Sequence, residues 1–128
     1  MTEPKWLKLL DVEEIHEEQL ALYGGPPGIR DRALLEPALD RPKNRSAYEQ
    51  SELPRLAAAY AFGIARNNPF VDGNKRTAFA SLMVFLRYND IRFEPLATEA
   101  TAIMLDLAAG NVDEADLARW IEANWPRV

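Results

Sequence analysis

From Ala78 to Leu86 every residue except Ser81 is apolar. Charged residues bracket the stretch, Lys75 and Arg76 before it and Arg87 after it. A helix over residues 75–88 would therefore be apolar nearly all round, and such a helix sits in the middle of a domain. The rest of the chain has to cover it. No segment shows the sustained alternation of a half-buried strand, so the cover must be helical. The expectation is an all-α fold, a compact bundle of about six helices around a buried central helix. A chain of 128 residues forms one domain, residues 1–128, with room for one core.

The other helices announce themselves by their ends. Trp6, Leu7, Leu9 and Leu10 read as packing anchors in a short lead-in. Asp11-Val12-Glu13-Glu14 resembles a capping-box start, and Val12, Ile15, Gln19 and Leu22 share a face of the helix that follows. Gly24-Gly25-Pro26-Pro27-Gly28 must break it. A second helix is expected over 31–40, with Pro37 as a kink, then a polar loop over 41–49. Ser51 caps a third helix reaching Arg66, with Pro54 in its first turn. Small residues from Ala57 to Ala65 let a neighbouring helix come close. A fifth helix over 98–109 is closed by Gly110. Asp113 caps a sixth, ending near Asn124, with Val112 and Leu117 as a hydrophobic staple.

Composition removes several function classes. Cysteine is absent, which excludes disulfides, thiolate metal sites and a cysteine nucleophile. A net charge of −5 disfavours a face that tracks nucleic-acid phosphates. His16 is the single histidine, so no mechanism can need two. No apolar run reaches the ~18 residues of a membrane span. The N-terminus carries no export pattern, and a cytoplasmic protein is expected.

The chemistry concentrates in Asn67-Asn68-Pro69-Phe70-Val71-Asp72-Gly73-Asn74-Lys75-Arg76-Thr77. This is a loop feeding the start of the apolar helix. The first amides of a helix have no internal partners, and with the helix dipole they attract anions. Gly73 lets the backbone approach a ligand closely. Asn74 can offer a side-chain amide to a phosphate oxygen. Lys75 and Arg76 oppose the dipole, so they make better sense facing a phosphate than stabilising the helix. Asp72 is a hard oxygen ligand suited to a Mg²⁺ that carries phosphates. The bland alternative, a capped loop with solvated cations, accounts for none of these residues being contiguous.

The segment resembles the signature loop of the Fic/Doc (Fido) family, His-x-Phe-x-Asp/Glu-Ala/Gly-Asn-Gly/Lys-Arg. Phe70, Asp72, Gly73, Asn74, Lys75 and Arg76 all match. Tyr23-Gly24-Gly25, Gly28-Ile29-Arg30-Asp31, Leu35-Glu36, Ala38-Leu39, Arg41-Pro42, Ala57-Ala58-Ala59-Tyr60 and Arg66-Asn67 extend the likeness over roughly 11–89. Lys75 and Phe79 favour the Doc-type branch, since adenylylating members usually have Gly and a second Arg there. The resemblance implies a toxin of a toxin–antitoxin module that uses ATP and Mg²⁺. It would phosphorylate a hydroxyl on a translation factor such as elongation factor Tu. By the same likeness Asp72 would hold Mg²⁺. Gly73, Asn74, Lys75 and Arg76 would bind the phosphates, and Phe70 would anchor the loop. It also implies a Phd-like antitoxin acting in trans, because the chain carries no Ser/Thr-x-x-x-Glu-Gly/Asn inhibitory string. The acidic chain suggests basic residues on that partner's segment.

One position departs from the family. Where its general-base His should stand, the chain has Asn68. A carboxamide can hydrogen-bond a hydroxyl but cannot take its proton near neutral pH. Loss of a positioned base costs about 10²–10⁴ in rate. Three explanations stand: an engineered change, a natural nucleotide- or antitoxin-binding pseudoenzyme, or another base. A protein adenylyltransferase is a weaker alternative. His16 borders the apolar stripe of its helix and reads as a packed or hydrogen-bonded histidine rather than a substitute base. Glu13, Glu14, Glu17 and Glu18 read as a solvated face, and Trp6, Trp120 and Trp125 as packing anchors.

Overall fold

The computed structural model describes residues 3–48 and 53–126. Six helices follow in order: α1 Leu9–Tyr23, α2 Arg32–Tyr48, α3 Leu53–Asn67, α4 Asn74–Tyr88, α5 Ala97–Ala109 and α6 Glu114–Ala123. Among the described residues the extended pairing is limited to an isolated antiparallel bridge between Ile29 and Phe70. The fold is all-α, and each of the six helices contributes to one buried cluster.

Helix ends follow local chemistry. The Asp113 carboxylate accepts from Asp116 N at 2.8 Å, and Asp116 accepts from Asp113 N at 3.1 Å. That reciprocal box opens α6. The Asp113 backbone bond, aided by Arg119, holds the Asp116 carboxyl below its usual range. Gly110 closes α5 at φ 84°, where a side chain would be strained. α1 begins earlier than expected, at Leu9, because Asp11 acts from inside the first turn: its carboxylate accepts from Lys8 N at 2.8 Å. In that register Leu7 and Val12 are buried while Leu10 and Leu22 face solvent. The expected Ser51 cap lies outside the described residues.

Two larger differences concern packing. The helix in the middle is α3, which lies against α2, α4, α5 and α6. Its small residues permit those approaches: a Cβ on Gly63 would sit 3.1 Å from Ala38 Cα of α2. α4 lies against α1, α3 and α5, and buries Ala78, Ser81, Leu82, Phe85 and Leu86. Its Phe79, Met83 and Val84 stay half-buried, so apolar residues all round did not mean burial all round. The second difference is α2, which continues through 41–48 where a loop was expected, with Pro37 and Pro42 inside it. Each proline removes one helix bond, but the far half is tied down elsewhere. Arg41 pairs with Glu114 of α6, and its guanidinium lies 4.7 Å above the Phe62 ring of α3.

The three tryptophans pack against the core. Trp6 stacks on Phe85 and Trp120 meets Phe93 edge-on.

Candidate active site

The loop between α3 and α4 is built from its backbone outward. Asn68 continues the end of α3, donating its N–H to Ile64 O at 3.1 Å, and then turns with φ 48°. Few side chains tolerate that angle, and Asn is among those that do. The chain next runs beside residues 28–31. Pro69 O accepts from Arg30 N at 2.7 Å and from Asp31 N at 3.0 Å, and Val71 N donates to Gly28 O at 3.1 Å. The Arg30 guanidinium adds bonds to Asn68 O at 2.8 Å and Asn67 O at 3.1 Å. Those carbonyls end a helix, where a cation is electrostatically favoured.

Phe70 is buried beneath the loop, its ring stacked on His16 with centroids 3.8 Å apart. Asn74 braces the same residue from the other side. Its Oδ1 accepts from Phe70 N and its Nδ2 donates to Phe70 O, both at 3.0 Å. The amide expected to reach a phosphate is thus engaged within its own loop, with one Nδ2 hydrogen beyond that bond. Gly73 precedes α4 at φ 76°, the left-handed region that favours glycine.

Asp72 is exposed, its carboxylate close against the Gly25 backbone: a Cβ on Gly25 would lie 2.5 Å from Asp72 Oδ2. Lys75 is exposed. Arg76 folds back toward the end of α1, donating to Gly24 O at 3.1 Å with its guanidinium 5.3 Å above the Tyr23 ring. Its Nε is buried without a partner. The Asn68 side chain is exposed and makes no hydrogen bond with a described residue.

The arrangement brings Asp72, Gly73, Asn74, Lys75 and Arg76 together at one helix start, with Asn68 at the end of the preceding helix. No group of three or more His, Cys, Asp or Glu that could hold a metal occurs among the described residues. Asp72 alone fits a cation that brings phosphate and water ligands with it, as Mg²⁺ does, and not a cage made by the protein. The unpartnered Arg76 Nε and the free amides of α4 suit an anion.

An apolar groove of 570 Å³ opens beside this site, between α4 and α5. Phe79, Met83 and Val84 form one wall and Ala100, Met104 and Leu105 the other, with Lys75 and Arg87 among the lining residues.

The sequence pattern of the Fic/DOC family matches residues 6–86. The chain belongs to the Fic/DOC family. The match spans α1 to most of α4 and includes every loop residue described above. This Fic/DOC chain is 32% identical over 105 residues to "Protein kinase doc" of Escherichia phage P1, covering 81% of this chain and 82% of that protein. It is 40% identical over 86 residues to "Toxin Doc" of Mycolicibacterium smegmatis (strain ATCC 700084 / mc(2)155), covering 65% of each.

Two residues outside the signature loop hold it, and their contacts with it were not read from the sequence. Arg30 and His16 lie 38 and 56 positions from the loop atoms they bind, and short-range spacing carries no signal for that. His16 is buried and hydrogen-bonded, as the helix pattern suggested.

Proposed function

We propose that this Fic/DOC chain is a Doc-type toxin built to move the γ-phosphoryl group of ATP to a protein hydroxyl, and that Asn68 leaves it weak or silent in that reaction. The observation that carries the reading is the α4 start, where Asp72, the left-handed Gly73 and the partnerless Arg76 Nε converge. The name of the phage relative, "Protein kinase doc", supports phosphoryl over adenylyl transfer.

Asn74, Lys75, Arg76 and the first amides of α4 hold phosphate oxygens and fix the direction of attack. Asp72 would hold a Mg²⁺ that arrives with the phosphates, and the ion would supply charge neutralisation. The hydroxyl oxygen bonds to the γ-phosphorus as the bond to the leaving diphosphate breaks. The hydroxyl proton then needs an acceptor, and position 68 faces that task with a carboxamide. His16 is no substitute, being buried with its Nε2 on a backbone carbonyl.

The target we propose is a translation factor of the bacterial cytoplasm, elongation factor Tu being the first to test. No helix among the described residues is long and apolar enough to cross a membrane. A Phd-like antitoxin in trans completes the module. Its segment would lay an apolar face in the α4–α5 groove. Lys75, Arg76 and Arg87 at that groove call for acidic residues on the segment, contrary to what the net charge suggested.

The test pairs the chain with its Asn68→His variant. Labelled γ-phosphate transfer to elongation factor Tu should rise by about 10²–10⁴ in the His variant, with growth arrest when it is expressed without an antitoxin. Equal rates would mean that another base operates. ATP binding without transfer in either form would support a second reading, a silent nucleotide- or antitoxin-binding protein, which the Asn68 carboxamide itself favours.

A further inference from the structure

One stripe of α1 faces the site. His16, Leu20 and Tyr23 follow at helical spacing, and each meets a different part of it. His16 Nε2 lies 2.8 Å from Asp72 O, and its ring covers Phe70. Leu20 Cδ2 lies 3.6 Å from where a Cβ on Gly73 would stand. Tyr23 lies under the Arg76 guanidinium.

The His16 contact has a particular target. A carbonyl oxygen accepts only, so Nε2 carries the hydrogen. The bonded oxygen belongs to the Asp72–Gly73 peptide. A peptide followed by glycine turns easily, because no Cβ restricts the next residue. The Asp72 carboxylate makes no hydrogen bond or ion pair with a described residue, so its direction follows its backbone. Holding that backbone oxygen fixes the backbone from which the carboxylate extends beside Gly25, without using either carboxylate oxygen. Stacking on Phe70 alone would be served equally well by a phenyl ring, whereas the bond to Asp72 O needs a donor.

We infer that His16 is a positioning residue, whose Nε2–H bond to the Asp72 carbonyl sets the stance of the Asp72 carboxylate toward a divalent cation. The inference rests on the nucleotide reading above and adds the element that orients its metal ligand. Residues one step behind a metal ligand commonly govern affinity by about 10–100-fold.

The experiment titrates ATP calorimetrically, with Mg²⁺ and with chelator, into the unsubstituted chain, His16→Phe and His16→Gln. Phe keeps the stack and loses the donor, and Gln keeps a donor of similar reach. Binding of ATP with Mg²⁺ should weaken about tenfold or more in His16→Phe, and metal-free binding by less than about twofold. His16→Gln should stay near the unsubstituted chain. Unchanged Mg²⁺ dependence in His16→Phe, or equal losses in both variants, overturns the inference. A second measurement needs no variant to fold. Long-range proton–nitrogen NMR of the unsubstituted protein should show the Nε2–H tautomer at His16, and the Nδ1–H tautomer overturns the inference. If the unsubstituted chain binds no ATP under either condition, the nucleotide reading falls together with the cation half of this inference. The tautomer then decides the Asp72 contact separately.

Discussion

Gly25 is the position where a single methyl group would collide with the site. Its φ is +118°, and a Cβ there would come within 2.5 Å of Asp72 Oδ2. Gly25→Ala should therefore lower stability by about 1–2 kcal/mol through backbone strain, seen in a thermal melt. It should also weaken Mg²⁺-dependent ATP binding by displacing the carboxylate. Arg30 is the counterpart on the other side of the loop. Arg30→Ala removes two bonds to the carbonyls of Asn67 and Asn68 and should cost about 1–2 kcal/mol in urea unfolding. Arg30→Lys should restore only part of this, because an ammonium cannot fork across two carbonyls. The residues of the signature loop were legible in the sequence because they are contiguous and chemically unusual at a helix start. Arg30 was part of the family likeness and His16 read as packed or hydrogen-bonded, but the loop atoms they hold were not legible, because those partners are brought near only by folding.

At the scale of elements, ends were read well where a single residue decides them, as at Gly110 and Asp113. α2 was misread because residues 41–49 were judged by their polar composition alone, and the helix runs on to Tyr48 although Pro42 removes a hydrogen bond. The Arg41 contacts to Glu114 and Phe62 belong to tertiary structure, and they outweigh it. The position of α4 was misread for a related reason: hydrophobicity says that a face avoids water, not that this chain covers it. Phe79, Met83 and Val84 line an open groove. The closeness of α2 and α3 makes a further prediction. Gly63→Ala would press a methyl group against the Ala38 backbone at 3.1 Å, which cannot swing aside as a side-chain tip can. A loss of about 1–3 kcal/mol is expected in denaturant unfolding, with the α2–α3 contact opening first in hydrogen exchange.

For the whole molecule, Tyr60 links the lead-in to the core. Its hydroxyl accepts from Leu7 N at 3.0 Å, and its ring packs against Phe85. Burial is the main cause that pushes its pKa up to about 12, against the Leu7 bond, which lowers it. The folded chain therefore keeps this proton where the unfolded chain, at 10.0, has lost it. The contribution is whole below that unfolded value and disappears as pH rises toward the folded one, a fall of about 2–3 kcal/mol. Urea midpoints measured across that alkaline window should drop accordingly. Tyr60→Phe should flatten this part of the profile while costing about 1–3 kcal/mol at neutral pH, because it strands the Leu7 N–H. Against this tightly bonded background, the side chain at position 68 is bound to nothing in the described protein, and only its backbone serves the fold. Asparagine and histidine codons differ by one base. A population carrying this gene thus stands a single point mutation from histidine at a position whose side chain no described residue holds.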